Sequence, residues 1–362
     1  MKKITLASTL VLTLLLTFML TQPTLSSANA SNNGDYFLKT IKVNETSALL
    51  KKSKVNLNKS YIVIADSGID KTFYSSTEGK TVSYNTAFAG QYPINHKGSK
   101  YYIHDVYDDY YQGTAVISIS DQIIRALKVN KLNSKSENQS LLVLPIKTTS
   151  SKGTSNAKIC IDTINDVIDY YVLKNNLPIS VINISSGLTW NNNGPTAQEE
   201  RKKLQNAINR ANSFGISIVA PSGDKDAKIS TYPALMGNVI VVGATNAKNE
   251  RLNKNKLNSS CYGKELDLVA PGSDVTIANN QMPFKPGSYY NALGDGTSYS
   301  APMVSTAIAL IKSINPKLTP IQIKTILKNS ATDLGPKGRD DYYGSGLLNM
   351  EATIKNVLNS KQ

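Results

Sequence analysis

The stretch GDGTSYSAPMVSTAIAL, residues 294–310, carries the strongest single indication of fold and chemistry in the chain. Glycine and threonine lead into Ser298, and an apolar helical pattern follows directly. Because the N-terminus of a helix favours negative charge, a serine at this point is placed to act as a nucleophile. The local residues allow a second interpretation, in which Ser298 is only the N-cap of the helix.

Five short apolar runs precede this stretch, and helical patterns separate them. Each run is rich in β-branched residues and has the length of a buried parallel strand. The alternation of strands and helices predicts right-handed crossovers and a doubly wound α/β fold, with a mostly parallel sheet and helices on both faces. The predicted strands are YIVIAD (61–66), LLVLPIK (141–147), ISVINIS (179–185), ISIVAP (216–221) and VIVVGA (239–244).

Capping patterns predict where two helices begin. Thr196 and Glu199 have the spacing of a capping box. Near the C-terminus, the start of another helix is predicted by Thr319, Pro320 and Gln322. No repeat, low-complexity tract or Pro/Gly-rich linker divides the pattern. We therefore expect a single domain.

Functional residues in a parallel sheet collect where the strands end. Asp66 ends the first predicted strand in VIADSGID, and Ser67 and Gly68 follow it in a sharp turn. A second helix is predicted to begin near Gln112 in DDYYQGTAVISIS, residues 108–120. Asp66, this helix start and Ser298 are therefore the candidates for one site.

The order of Asp66, QGTAV and GTSYSAP resembles the subtilisin family of serine proteases, whose Asp, His and Ser triad runs in that order. The resemblance implies that Asp66 orients the general base and that Ser298 is the nucleophile. It also implies that Ser185, Ser186 and Gly187 pair with an extended peptide as an added strand. The resemblance covers nearly all of residues 55–352 through VINISSG (181–187), VAPSGDKD (219–226), VVGATN (241–246), LDLVAPGSDV (266–275) and YYGSGLLNM (342–350).

Two positions depart from the family pattern. Gln112 stands where the family has its general-base histidine, and an amide has no pKa near neutrality with which to accept the serine proton. We expect Gln112 to donate to Asp66 and accept from Ser298, which satisfies the polar groups without turnover. Asp224 stands where the family has the asparagine of the oxyanion hole, and an ionised carboxylate there repels the charge that must form.

The sequence gives little support for an alternative general base or for a metal site. His96 and His104 are the two histidines, and we expect both to lie in an exposed loop. Sedolisins, relatives that resemble subtilisin in fold, use a glutamate base and an oxyanion aspartate. Asp224 fits that arrangement, whereas Gln112 and Val116 do not supply its two acids. No metal site is indicated, although the subtilisin resemblance allows structural calcium.

The N-terminus reads as an export signal. Lys2 and Lys3 precede an apolar run and the small-residue site SANA, which predicts a signal peptide over residues 1–30, cut near Ala30. Retention of the run as a membrane anchor is the alternative. The peptidase domain then covers residues 31–362, and 31–65 leaves no room for a separate propeptide domain.

Charge and cysteine content limit the classes of partner that the protein can have. The net charge of +14 suits a solvated lysine-rich surface or a cell envelope that is anionic, and aromatic residues do not interleave with the lysines as in a nucleic-acid platform. Cys160 and Cys261 either pair or are two buried free thiols, and we expect the latter. We expect a monomer whose partner is an extended peptide or protein.

Two function classes follow. The first is a secreted subtilisin-like pseudoprotease that binds extended peptides without cutting them, which the changes at Gln112 and Asp224 favour. The second is an active secreted serine endopeptidase with an unconventional base. It resembles the lantibiotic leader peptidases, which are exported subtilases of Gram-positive bacteria.

Overall fold

A computed structural model describes most of the chain beyond the N-terminal segment. The described residues are 35–70, 110–130, 139–149, 155–188, 194–255, 258–279 and 292–360, with residues 72, 73, 82, 93, 94, 101, 102 and 108 between the first two ranges.

A sheet of six parallel strands forms the centre of the molecule, and two short antiparallel pairs accompany it. The strands in the described residues are β1 (Ser60–Asp66), β2 (Pro93–Ile94), β3 (Tyr101–Tyr102), β4 (Leu141–Lys147), β5 (Ile179–Ile184), β6 (Ser217–Pro221), β7 (Val239–Thr245), β8 (Leu268–Pro271), β9 (Val275–Ile277) and β10 (Ala292–Gly294). The sheet order is β4-β1-β5-β6-β7-β8, while β2 pairs with β3 and β9 with β10. All five predicted strands are confirmed, and β8 is an addition.

Helices cover both faces of the sheet. They are α1 (Tyr36–Thr40), α2 (Val43–Ser53), α3 (Gln112–Leu127), α4 (Ala157–Asp166) with a π-helical continuation (Val167–Lys174), α5 (Pro195–Ser213), α6 (Thr297–Ile314), α7 (Pro320–Ser330) and α8 (Met350–Asn359). The core on one face includes residues of α2, α3, α6, α7 and α8, and the core on the other includes residues of α4 and α5. The predicted doubly wound α/β architecture is confirmed.

The strands divide their side chains between these two cores. Ile62 and Ile64 of β1 pack toward α3 and α6, whereas Val63 and Ala65 pack toward α4 and α5. Successive side chains of a strand point to opposite faces, so a sheet covered on both sides needs unbroken apolar runs. These unbroken apolar runs explain why the strands could be predicted from the sequence.

Two local predictions were confirmed and one was wrong. Thr319 caps α7 in a capping box with Gln322, and both cysteines are buried and free. The predicted capping box at Thr196 and Glu199 was wrong, because α5 begins earlier. Its N-cap is Gly194 and Pro195 occupies the first turn, where the missing N–H of proline costs no helical hydrogen bond.

Within the described part of the chain, none of the helices has the length and apolarity needed to cross a membrane. The predicted signal peptide, residues 1–30, lies outside the described residues.

Candidate active site

The carboxyl end of β1 holds Asp66 in a buried position. Its side chain is 2% exposed, and Oδ1 accepts the backbone N–H of Ser67 at 2.7 Å. Oδ2 is buried and has no hydrogen-bond partner among the described residues. Burial is the main cause that raises the pKa of Asp66 to about 7; the hydrogen bond from the Ser67 N–H opposes this rise, and the charge of Asp108 adds to it.

Asp108 organises the turn that leads into α3. Its Oδ1 accepts the Ser67 hydroxyl at 2.7 Å and the backbone N–H groups of Tyr110 and Tyr111 at 3.1 and 2.6 Å. Its Oδ2 accepts the backbone N–H and the hydroxyl of Thr114 at 2.7 and 2.6 Å. A carboxylate in this place satisfies N–H groups that have no partner inside the helix. The sequence analysis missed this role, although an aspartate just before a helix start is a recognisable capping signal.

Gln112 is the first residue of α3 and is half-buried. Tyr111 before it has a left-handed backbone with φ of 76°, which is uncommon for a large side chain. The helix start is pressed against the end of β1, because a β-carbon on Gly113 would lie 2.2 Å from the Gly68 carbonyl oxygen. Residue 112 therefore has a backbone position fixed by its neighbours.

The expected bridge from Gln112 to Asp66 and Ser298 was wrong. Oδ2 of Asp66 stays without a partner, and the Gln112 amide makes no side-chain hydrogen bond to any described residue. Gln112 is only partly buried, so water competes for the donors and acceptor of its amide. Among the described residues, no group thus connects Asp66 with Ser298.

Ser298 is the second residue of α6, and the N-cap position belongs to Gly296. The alternative in which Ser298 is the N-cap was therefore wrong. Its side chain is 8% exposed, and within the described part of the chain no group accepts a hydrogen bond from its hydroxyl. The positive end of α6 favours negative charge beside Ser298, while the described residues offer no acceptor for the proton of the hydroxyl.

Asp224 lies in the loop after β6 and contacts the start of the same helix. Its Oδ1 accepts the backbone N–H of Thr297 at 2.7 Å, and the Thr297 hydroxyl accepts the N–H of Gly223 at 3.2 Å. Burial raises the pKa of Asp224, and the hydrogen bonds from Thr297 oppose that rise. The carboxyl group thus caps α6 and places acceptor oxygens where the family resemblance expects a donor to an oxyanion.

Tyr299 is a site residue that the sequence analysis did not single out. Burial raises the pKa of its hydroxyl, and four carboxyl groups act in the same direction, namely those of Asp66, Asp224, Asp295 and Asp108. Lys254 offsets part of this charge, since its Nζ donates to the carboxylates of Asp274 and Asp295 at 2.9 Å. These carboxyl groups make the electrostatic potential near Ser298 negative, which disfavours a new negative charge there.

The predicted peptide-binding segment follows the carboxyl end of β5. Ser185 is buried, Ser186 half-buried and Gly187 exposed. Asn183 donates from Nδ2 to the Ser185 hydroxyl at 2.7 Å and accepts from Ser305 of α6 at 3.1 Å, which ties the segment to the helix that carries Ser298. Between residues 185 and 187 the backbone makes no hydrogen bond to another described segment, so it is open to pair with a peptide.

Thr231 lies between this segment and the loop that carries Asp224. A β-carbon on Gly187 would lie 3.5 Å from Cβ and Cγ2 of Thr231, and one on Gly223 would lie 3.9 Å from its Oγ1. The gap between the two glycines is thus about one threonine side chain wide. Thr231 fills this gap, so a bulky side chain of a bound peptide would have to displace it.

The expectations about the two histidines and about structural calcium are not tested by the described residues. His96 and His104 fall outside the described residues. Within the described ranges, no group of three or more His, Cys, Asp and Glu side chains is arranged to hold a metal ion. The structural calcium that the resemblance allows remains a prediction.

Comparison with known proteins gives one family match and several relatives. A family model described as the Subtilase family matches residues 58–346. The chain is 40% identical over 184 residues to Subtilisin Savinase of Lederbergia lenta, which is 49% of this chain and 63% of that protein. It is 40% identical over 184 residues to an alkaline protease of Shouchella clausii, covering 49% of this chain and 44% of that protein. The chain therefore spans between two fifths and two thirds of the length of these relatives.

Further similarities agree with this match. The minor extracellular protease Epr of Bacillus subtilis is 32% identical over 175 residues, which cover 48% of this chain and 24% of that protein. A solved structure described as a lanthipeptide protease superposes with a TM-score of 0.66 and 19% identity, covering 90% of this chain and 96% of the other. At that identity the superposition shows a shared fold.

Proposed function

The chain belongs to the subtilase family, and from that premise we propose that it is an exported pseudoprotease, which binds extended peptides in the subtilase groove and hydrolyses them feebly or not at all. The observation that carries the proposal is that no described residue connects Asp66 with Ser298. Oδ2 of Asp66 is buried without a partner, and no described group accepts from the Ser298 hydroxyl.

The missing base limits the first chemical step. A serine hydroxyl becomes a nucleophile when a neighbouring group removes its proton and later returns it to the leaving amine. Gln112 cannot do either, because its amide does not titrate near neutrality. Asp66 has the place of the residue that would orient a histidine, and without the histidine it has nothing to orient.

The second limitation is the oxyanion position. Attack on a peptide carbonyl produces a negatively charged oxygen that needs fixed hydrogen-bond donors. Asp224 uses Oδ1 as an acceptor for the Thr297 N–H, so its carboxyl group presents acceptors at the start of α6. An ionised Asp224 would raise the energy of the oxyanion, and only its protonated form could donate.

Peptide binding depends on other groups, and these support the proposal. Residues 185–187 keep backbone groups that no described segment uses, and Asn183 and Ser305 hold their position. Recognition by an added strand needs only such free backbone groups and space for side chains. The two changed positions, Gln112 and Asp224, serve bond cleavage in the family, whereas residues 185–187 serve recognition.

The second candidate is an active exported endopeptidase that processes peptides or leader sequences. Its support is the retention of Asp66 and Ser298 at a strand end and a helix start, together with the fold shared with a lanthipeptide protease. A base would have to come from outside the described residues, and His104 is the first one to replace in a test.

One experiment separates the two candidates. The purified chain and its Ser298→Ala variant are incubated with a peptide library, and cleavage products and retained peptides are both identified by mass spectrometry. The pseudoprotease proposal expects the same bound peptides for both proteins and no cleavage that depends on Ser298. Cleavage by the parent that disappears in Ser298→Ala identifies the enzyme, and the absence of any retained peptide contradicts the binding proposal.

A further inference from the structure

The edge of the sheet opposite the candidate site carries three exposed apolar side chains. Strands β1, β5 and β6 begin at this edge, because parallel strands joined by helices all start on one side. Helix α6 starts beside the site and ends there at Ile314, after 18 residues, or roughly 27 Å. The exposed side chains are Leu173 at 54%, Phe214 at 42% and Ile321 at 64%.

The helical segments that carry Leu173 and Phe214 are joined by an ion pair. Arg210 of α5 forms an ion pair with Asp169 of the π-helical segment and donates to Asn165 at 2.9 Å. Phe214 follows Arg210 by one turn, and Leu173 follows Asp169 by about one turn. Both apolar side chains therefore project beyond the same ion pair at the end of the helix layer.

Lys312 connects the chain next to Phe214 with the turn that leads to Ile321. A β-carbon on Gly215, the residue after Phe214, would lie 3.1 Å from Nζ of Lys312. The same Nζ donates to the carbonyl oxygens of Pro316 and Leu318 at 2.7 and 3.2 Å, in the turn that leads to Ile321. The three apolar side chains thus lie at the same edge of the molecule, and Lys312 lies close to the backbone next to Phe214 and to the turn before Ile321.

Lysines surround this surface. Lys174 adjoins Leu173, and Lys317 lies in the turn before Ile321, and both are exposed. Among the described carboxylates at this edge, Asp169 pairs with Arg210, and Asp267 pairs with Lys324 at 2.8 Å. The surface therefore presents positive charge together with apolar side chains.

We propose that this surface, the basal face, docks on an anionic lipid bilayer; it consists of Leu173, Lys174, Phe214, Lys312, Lys317 and Ile321. Lysines near an anionic bilayer are attracted to the headgroups, and apolar side chains between them enter the headgroup and acyl boundary. A polymer of phosphates would satisfy only the lysines. A specific protein partner typically needs about 800 Å² of contact, which three separate side chains at helix ends do not supply.

In the docked orientation the candidate active site lies on the side away from the bilayer. Asp66 and Ser298 lie at the opposite edge of the sheet, about 20 Å from the basal face, given that a seven-residue strand has that length. The groove then points away from the bilayer and stays accessible to peptides. The overall charge of +14 acts in the same direction as the basal lysines.

The test uses the full chain and vesicles of phosphatidylglycerol with phosphatidylcholine, compared with pure phosphatidylcholine. The double variant Lys174→Gln/Lys317→Gln should bind the anionic vesicles roughly 25-fold more weakly than the parent, at about five-fold for each lysine. The matched control is Lys225→Gln/Lys228→Gln, which removes two exposed lysines from the loop beside the site. The control should bind within about two-fold of the parent.

A second readout separates the basal face from the N-terminal apolar run, which every variant shares. The chain has one tryptophan, so Phe214→Trp and Tyr342→Trp each add one reporter against the parent signal. Brominated lipids should quench the tryptophan at 214 and leave the one at 342 unquenched. Equal quenching at both positions, or equal binding of the two lysine double variants, overturns the proposal. A concentration-dependent dimer without lipid that Phe214→Ser abolishes assigns the face to a second copy and overturns it as well.

Discussion

Replacing Asp66 by asparagine should make the protein more stable at neutral and alkaline pH. The carboxyl group is 2% exposed, and its Oδ2 has no partner among the described residues, so ionisation is costly. Its pKa is raised to about 7 from an ordinary value of 3.8, a difference that corresponds to about 4 kcal/mol between the ionised folded and unfolded states. Asparagine keeps the oxygen that accepts the Ser67 N–H and cannot ionise.

The direction of the pH dependence follows from proton binding. Below pH 3.8 the carboxyl group is protonated in both states and contributes nothing. Between pH 3.8 and about 7 the folded protein keeps a proton that the unfolded chain has lost, so stability falls as pH rises. Above about pH 7 the full penalty of about 4 kcal/mol is present, and it is absent in Asp66→Asn.

Urea unfolding of the parent and the variant at pH 4, 6 and 8 measures the effect. The variant should gain little at pH 4 and up to about 4 kcal/mol at pH 8 in free energy of unfolding. Asp35→Asn is the control for an exposed carboxyl group without a capping hydrogen bond, and it should stay within about 0.5 kcal/mol of the parent. A variant that is less stable than the parent at pH 8 would show that Oδ2 of Asp66 has a donor, and the description of the site would be wrong.

Three further predictions concern the same site. In subtilisin, loss of the histidine costs on the order of a million-fold in turnover, and loss of the oxyanion asparagine costs roughly a hundred- to a thousand-fold. Gln112→His should therefore restore weak hydrolysis of a chromogenic peptide, whereas Asp224→Asn alone should restore little. The double variant should exceed both. Asp108→Ala should lower the free energy of unfolding by about 1–3 kcal/mol in urea, because it leaves the first N–H groups of α3 without their acceptor. Thr231→Gly should raise the affinity for peptides with a bulky side chain next to Gly187 by roughly ten-fold or more in fluorescence polarisation, while the similarly sized Thr231→Val should keep the preference for short side chains.

The sheet was predictable from the sequence because burial on both faces demands unbroken apolar strands. Ile62, Val63 and Ile64 serve two cores at once, and such runs have a clear signature. The start of α5 was harder to place. Thr196 and Glu199 satisfy a local pattern, yet Pro195 allows the helix to begin earlier, with Gly194 as its N-cap.

The site was predictable as a set of positions, and its contacts were not. The motifs located Asp66, Ser298 and Asp224 through the order of the residues. That Oδ1 of Asp224 caps α6, or that Asp108 holds the start of α3, depends on loops that meet only after folding. A hydrogen bond from Gln112 was plausible from its chemistry, and the fixed helix start and the incomplete burial of Gln112 prevented it.

Reaction with a serine-directed fluorophosphonate tests the central claim most directly, because the probe labels a serine hydroxyl only when a neighbouring group activates it. Ser298 has no described proton acceptor, so the account predicts no labelling of the folded parent at neutral pH, and labelling of Gln112→His that Ser298→Ala abolishes. Rapid stoichiometric labelling of the parent at Ser298 would contradict the account, since it would mean that a residue other than Gln112 removes the proton.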